Sequence, residues 1–344
     1  MKRIFICLAG LILTMASCTT DKLSEGYIGP SDIVIPDGVM TPETLLALGR
    51  ISDPQLSPDG STILYSVSYT SIAENRSCAN LFVCNTDGSN RRHLTSFGKS
   101  VSNARWSADG SKIYFIYDGQ LREAPYSDGE LGGMKTLSDV PSGISGFAVS
   151  PDETRVIYIS SIKNTSLETP SDSDPALDKA QAYATEELMY RHWDHWRTEV
   201  PRSYVAPFGG ARITPDNSVD ILGYLYELPL EPYGGIEQLS WAPDSRHIAY
   251  SCKKLSGIEY AFSTNSCIYV YDCESGATTA VTTSGGYDTD PVWSEDGKPL
   301  AWISMERDGY EADRQRLMLC QTSLDGAGVD ASSNMVKYVE IFSK

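Results

Sequence analysis

One short phrase recurs five times along the chain and constrains its fold more than any other feature. Each copy runs through Ser or Ala to a small acidic turn, then into an alternating apolar strand. Leu56-Ser57-Pro58-Asp59-Gly60 leads to Ile63–Ser66, and Trp106-Ser107-Ala108-Asp109-Gly110 to Ile113–Ile116. Val149-Ser150-Pro151-Asp152-Glu153 leads to Val156–Ile159, Trp241-Ala242-Pro243-Asp244-Ser245 to Ile248–Tyr250, and Trp293-Ser294-Glu295-Asp296-Gly297 to Leu300–Ile303. Proline presets φ for a turn, aspartate caps it, and glycine supplies positive φ, so each phrase predicts a hairpin.

Further short strands follow, at Asn80–Cys84 and Arg91–Thr95, Gln120–Tyr126 and Lys135–Leu137, and Cys267–Tyr271 and Thr278–Thr282. The turn aspartates stand 50, 43, 92 and 52 residues apart. Three or four antiparallel strands per such interval is the period of a propeller blade. The expected fold is therefore all-β: a β-propeller of about five four-stranded blades near 51–97, 99–139, 144–222, 236–284 and 286–325. No turn phrase falls inside the gap of 92, which is read as one blade carrying a helical insertion over 162–199. Within it, Asp174-Pro175 resembles an N-cap and first helical position, and Leu177, Ala180, Ala184 and Leu188 keep helical spacing. These predict a helix from Pro175 to about Tyr190. Thr41-Pro42 starts a short helix that stops at Gly49. Residues 18–40 read as a tether and 326–344 as an irregular tail, leaving an incomplete ring with uncovered first and last blades.

The N-terminus predicts export. Lys2 and Arg3 precede an apolar stretch, Ile4 to Met15, too short to span a bilayer comfortably, and Met15-Ala16-Ser17-Cys18 follows. Residues 1–17 thus read as a lipoprotein signal with Cys18 as the lipidated residue, facing the periplasm or exterior of a bacterial envelope. The alternative is an ordinary signal peptide, with Cys18 a bystander. Lys and Arg number 28 against 45 Asp and Glu, a formal charge of −17, which argues against a nucleic-acid partner. No cysteine or histidine spacing resembles a metal site, and no cofactor is expected. His192 and His195 lack a third ligand. Cys252 and Cys267, on consecutive strands, either pair or remain buried thiols.

The Pro-Asp-Gly blades resemble the TolB-type repeat. Four further segments sharpen this: Met40–Leu45, Tyr190–Trp196, Ala261–Ser266 and Trp302–Asp313. Together they resemble the N-terminal propeller of prolyl oligopeptidase family serine peptidases, in the dipeptidyl peptidase and acylaminoacyl peptidase branch, over roughly residues 38–320. Cys267 departs from the pattern, which leads us to expect Asp. The resemblance implies a second, α/β-hydrolase domain with the catalytic Ser, Asp and His. The G-x-S-x-G turn of such a domain does not occur in this sequence. The expectation is a truncated member that holds and filters peptide substrates but carries no catalytic residue and is itself inactive.

In related dipeptidyl peptidases two adjacent glutamates on a helical excursion bind the substrate's free amine. The resemblance points to Glu186 and Glu187, with Arg191 to hold a carbonyl and Trp193 to wall a pocket. Glu306, with Glu311 and Asp313, would form an acidic mouth. Each has a plain alternative, as solvated charges or as packing for the insertion. A stand-alone TolB-like lipoprotein propeller working through protein contacts is the competing reading of the whole chain.

Overall fold

The turn phrase explains the architecture from its side chains outward. In the computed structural model, which describes residues 24–31, 38–186, 191–192, 195–223, 226–231, 234–321 and 337–338, each turn aspartate folds back on its own loop. The Ser57 hydroxyl donates to Asp59 at 2.6 Å, Ser107 to Asp109 at 2.8 Å, Ser150 to Asp152 at 2.7 Å and Ser294 to Asp296 at 2.7 Å. The fourth turn has Ala242 in the serine's place, and there the ring of His247 meets Asp244 at 2.6 Å. Gly60, Gly110 and Gly297 then take φ of 73°, 72° and 69°. The third and fourth turns put Glu153 and Ser245 at that left-handed position, φ 55° and 57°. Both side chains reach the preceding blade: Glu153 accepts from the Ala108 amide at 2.8 Å and Ser245 from the Asp152 amide at 3.0 Å. The left-handed backbone, costly for a side chain, is offset by a bond between turns.

These hairpins grow into five antiparallel sheets. Blade 1 comprises Arg50–Leu56, Thr62–Ser71, Arg76–Asn85 and Arg92–His93, and blade 2 Val101–Trp106, Lys112–Tyr117, Gln120–Ser127 and Lys135–Thr136. Blade 3 comprises Gly146–Val149, Arg155–Lys163, Glu199–Pro207 and Val219–Asp220. Blade 4 comprises Leu239–Trp241, His247–Cys252, Cys267–Asp272 and Thr278–Ala280, and blade 5 Tyr287–Trp293, Pro299–Met305, Arg316–Gln321 and Lys337–Tyr338. The last strand lies inside the stretch expected to be an irregular tail: it pairs Met318 with Tyr338 and Leu319 with Lys337.

Strand alternation sends successive side chains to opposite faces, and each blade buries one face against the next. Leu64, Leu81 and Val83 of blade 1 pack on Ala104, Ile113 and Phe115 of blade 2. Ile116 and Leu121 then meet Phe147 and Tyr158, Ile159 and Val205 meet Leu239 and Tyr250, and Ile268 and Val270 meet Leu300 and Trp302. At about 1.5–3 kcal/mol for each fully buried large apolar side chain, these interfaces hold the blades in sequence. Bulges on the first strands put Asp53, Asn103 and Asp290 at positive φ. Two of these reach the next blade: Asp53 pairs with Arg105 at 2.7 Å, and Asn103 Oδ1 accepts from the Phe147 amide at 2.8 Å.

Residues 164–198 run between the second and third strands of blade 3, and their described part does not form the expected helix. Pro170–Ser173 form one helical turn and Pro175–Leu177 a 3-10 turn capped by Asp174. From Asp178 to Glu186 the chain is not helical. Ala184 instead exchanges both backbone hydrogen bonds with Glu168, at 2.8 Å each, which uses the groups a helix would need. The residues from Asp178 to Ala184 are exposed, so no apolar stripe is buried to favour a helix. The Pro42–Ala47 helix forms as expected, the Thr44 amide donating to Thr41. Part of the tether is docked: Ser24 donates to Ser96 O at 3.1 Å, Arg76 binds Gly26 O, and Tyr27 packs on the His93 ring. Cys252 and Cys267 face each other in register, both as free thiols.

Candidate functional site

Antiparallel topology sorts the loops. The acidic turns join first to second strands at one end of every blade, so all second-to-third connections emerge at the other. That end carries the long segments: 164–198 in blade 3, 253–266 in blade 4 and 306–315 in blade 5.

Polar contacts bind these segments together. Arg197, at the close of the insertion, pairs with Glu227 at 2.5 Å; the two are 3% and 0% exposed. The Tyr260 hydroxyl, on the short helix Gly257–Phe262 of blade 4, donates to the same carboxylate at 2.5 Å. Burial and then Glu227 push that phenol far above its ordinary range. Lys253 lies 3.9 Å from the centre of the Tyr260 ring and donates to Tyr260 O at 2.6 Å and to Ser263 O, so its cation caps the helix C-terminus. Burial lowers its pKa, with Glu227, Asp308 and Glu311 opposing. Blades 4 and 5 are joined by Asp308, which accepts from the Ser263 hydroxyl at 2.7 Å and the Thr264 amide at 2.6 Å. Gly309 N donates back to Thr264 Oγ1 at 2.8 Å.

Between these contacts opens a cavity of about 310 Å³, walled chiefly by Tyr260, Tyr287, Tyr310, Leu230 and Met305. Its charged lining residues are Lys253, Arg307, Glu231 and Glu311. Both cations are committed, Lys253 as above and Arg307 to Asp313 at 3.1 Å and to the Tyr310 ring at 4.0 Å. Among the described residues, neither Glu231 nor Glu311 has a hydrogen-bond or ion-pair partner. Tyrosine faces with uncommitted carboxylates suit a cation.

The residues expected from sequence fare differently. Glu186 is exposed on the insertion, and the Arg191 backbone pairs with Trp196 in a two-stranded hairpin. Glu187, Trp193 and the lipidation candidate Cys18 lie outside the described residues. Glu306 is held by Arg316 at 2.5 Å and Asp313 by Arg307, so of the acidic mouth only Glu311 lines the cavity. Sequence reading missed Lys253, Tyr260, Tyr287 and Tyr310. The signal present was a pair of tyrosine-bearing second-to-third loops in blades 4 and 5.

Five sequential antiparallel blades with their polar loops gathered at one end define the class: an all-β propeller. Acylaminoacyl peptidase of Pyrococcus horikoshii shares this fold, with a TM-score of 0.56 and 15% identity over 86% of this chain and 40% of that one. The sequence relatives are more particular, and the chain is similar to proteins named dipeptidyl-peptidase 5 over less than half their length. It is 38% identical over 320 residues to dipeptidyl-peptidase 5 of Porphyromonas gingivalis and 37% identical over 314 residues to that of Porphyromonas endodontalis. These matches cover 92% and 90% of this chain but 45% of each relative, so the chain spans about half the length of the curated relatives it matches. Dipeptidyl-peptidase 5 of Schizosaccharomyces pombe is 22% identical over 291 residues, covering 81% of this chain and 41% of that one. No family model matches the sequence.

Proposed function

We propose that this propeller holds and filters peptides for an exported serine peptidase of the dipeptidyl-peptidase 5 kind, with its tyrosine-walled cavity receiving the amino end of the peptide. The observation that carries the reading is the cavity's charge inventory: its cations are committed and its two carboxylates are not. A peptide ammonium would donate charge-assisted hydrogen bonds to Glu231 and Glu311 while its first side chain lies on the tyrosines. Two of the four segments that carry the sequence resemblance, Ala261–Ser266 and Trp302–Asp313, meet through Asp308 beside this cavity, which supports the assignment.

The propeller's share of the chemistry is positioning and exclusion. Bond cleavage belongs to a serine activated by histidine beside an oxyanion hole, and the sequence here has no G-x-S-x-G turn to supply it. In this proposal Cys18 bears lipid and tethers the chain to the bacterial envelope, where two or more acyl chains suffice for stable anchoring.

Calorimetry on the purified chain tests the reading, using a dipeptide amide with a free amine against its N-acetylated form. The free amine should bind, acetylation should abolish binding, and Glu311→Gln should weaken it about tenfold, or ~1.4 kcal/mol. Equal binding of the two peptides would refute the amine assignment. The same chain should neither cleave dipeptidyl chromogenic substrates nor label with a fluorophosphonate probe; labelling would refute the division of labour.

A further inference from the structure

Among the described residues, two cysteines stand directly opposite each other. Cys252 ends the second strand of blade 4 and Cys267 begins the third, in register across from it. The other cysteines face different partners: Cys78 lies opposite Tyr69, Cys84 opposite Ile63 and Cys320 opposite Leu300, while Cys273 N donates to Arg246 O. Residues opposite each other on antiparallel strands share a face of the sheet. Here that face packs on blade 3, and the neighbouring pair on it, Tyr250 and Tyr269, stacks at 5.5 Å.

Backbone bonding fixes how far apart the two Cα atoms stand. Cys273 N donates to Arg246 O at 3.1 Å, and Val281 N donates to Ile268 O at 2.8 Å. Backbone groups of successive strand residues point to alternate sides, so Ile268 bonds toward the fourth strand and Cys267, like Cys273, toward the second. Cys252 and Cys267 are thus a hydrogen-bonded pair, with Cα atoms about 5.5 Å apart. Disulfides span Cα separations of about 4.4–6.8 Å, most often about 5.5–6 Å. The bond can close by turning the two side chains, with the strands left in register.

We propose that Cys252 and Cys267 form a redox-active dithiol that closes to a disulfide by exchange with an external disulfide, pinning the base of the 253–266 connection. Burial orders the steps. Cys252 is fully buried, its Sγ donating to Glu227 O at 3.4 Å, whereas Cys267 is half-buried, its Sγ 3.9 Å from Ser284 O. The Cys267 thiolate attacks one sulfur of the external disulfide and expels the other as a thiolate, leaving a mixed disulfide. Cys252 then gives up its proton, and its thiolate attacks Cys267 Sγ and expels the second external thiol. The chain loses two electrons and two protons, and the external disulfide leaves as two thiols. The Lys254 ammonium, 3.8 Å from the centre of the Tyr269 ring and donating to the Tyr250 hydroxyl at 3.0 Å, acts on both sulfurs and favours their thiolates. Burial raises both thiols against it, which makes the exchange slow. The pinned connection carries Lys253 and Tyr260 of the cavity wall, and the inference stands on strand register, independent of the peptide-binding reading.

Thiol mapping of the full chain tests this. The folded, reduced chain is held with oxidised glutathione, quenched in acid, alkylated, and digested without reduction for mass spectrometry. The expected product is a Cys252–Cys267 cross-linked peptide pair, two hydrogens lighter than the free thiols and returned to alkylatable thiols by dithiothreitol. In Cys252→Ala, Cys267 should instead retain glutathione as a mixed disulfide. In Cys267→Ala, Cys252 should stay unmodified until urea unfolds the chain. Amide hydrogen exchange across 253–266 should slow when the parent is oxidised and stay unchanged in Cys267→Ala. A folded parent that leaves both thiols alkylatable, a cross-link from either to another cysteine, glutathione captured as readily by Cys252 as by Cys267, or a cross-linked parent with unchanged exchange would each overturn the proposal.

Discussion

Replacing Glu227 by Leu should unfold the loop end of blades 3 and 4 more than any change to the exposed charges there. The carboxylate is fully buried, and it meets the Arg197 guanidinium at 2.5 Å and the Tyr260 hydroxyl at 2.5 Å. Removing one partner of such a pair strands the other charge out of water, and Arg197 is only 3% exposed. Stranded buried charges of this kind cost about 3–5 kcal/mol, whereas replacing both partners by apolar residues of similar volume is near neutral or stabilising. Glu227→Leu alone should therefore lower the unfolding free energy by about 3–5 kcal/mol, and Arg197→Met with Glu227→Leu should recover most of it. Tyr260→Phe, which removes one hydrogen bond to a charged group, should cost about 1.5–3 kcal/mol. Urea titrations at constant slope measure all three. A single Glu227→Leu that costs under about 1 kcal/mol, or a double variant no better than the single, would refute the claim that this pair is a desolvated charge in need of its partner.

The turn aspartates set an acid response. Hydrogen bonds from the Ser150 hydroxyl and the Thr154 amide hold Asp152 down at about 2, and the Ser111 amide and hydroxyl hold Asp109 there too. Their folded values lie below the unfolded one, so their contribution is present above about pH 4 and lost as pH falls toward about 2. Asp152→Asn should flatten the acid unfolding curve in that window, followed by tryptophan fluorescence. At the left-handed position of the third turn, Glu153→Gly loses the bond to Ala108 but relieves the backbone, while Glu153→Ala loses the bond and keeps the strain. Thermal melts should place the alanine variant about 1 kcal/mol below the glycine variant. Trp302→Ala, at the centre of the blade 4–5 interface, should cost about 3–5 kcal/mol in urea unfolding. Cys18→Ser should move the chain from the membrane to the soluble fraction of an expressing bacterium, with mass spectrometry of the mature terminus identifying the lipid.

The blades were legible because their determinants are local. An aspartate closes each turn within a few residues, with a serine two residues before it in four of the five and a glycine after it in three, and the following alternation sets which face is buried. The insertion misled for the opposite reason: Leu177, Ala180 and Ala184 have helical spacing, but the distant Glu168 claims the Ala184 backbone. The outer strand of blade 5 escaped notice because two residues, Lys337 and Tyr338, carry no periodicity. The cavity was illegible as a cavity. Its walls come from the blade 3–4 connection, both loops of blades 4 and 5, and the start of a first strand, and only inter-blade packing brings them together. Glu311 was singled out as acidic, yet nothing local separated it from Glu306 and Asp313, whose arginine partners neutralise them.

The insertion enters and leaves blade 3 through neighbouring strand ends. Lys163 pairs with Glu199, and just beyond them Asn164 N donates to Thr198 O at 2.9 Å while its side-chain amide donates to Arg197 O at 2.7 Å. Such a fastened base makes the segment above it an exchangeable cassette. Lengthening it changes only the entropy of a loop whose ends are already joined, and each doubling of length costs roughly 0.6 kcal/mol. Residues 165–196 can thus be lengthened, shortened or rewritten while the blades that support them are left alone.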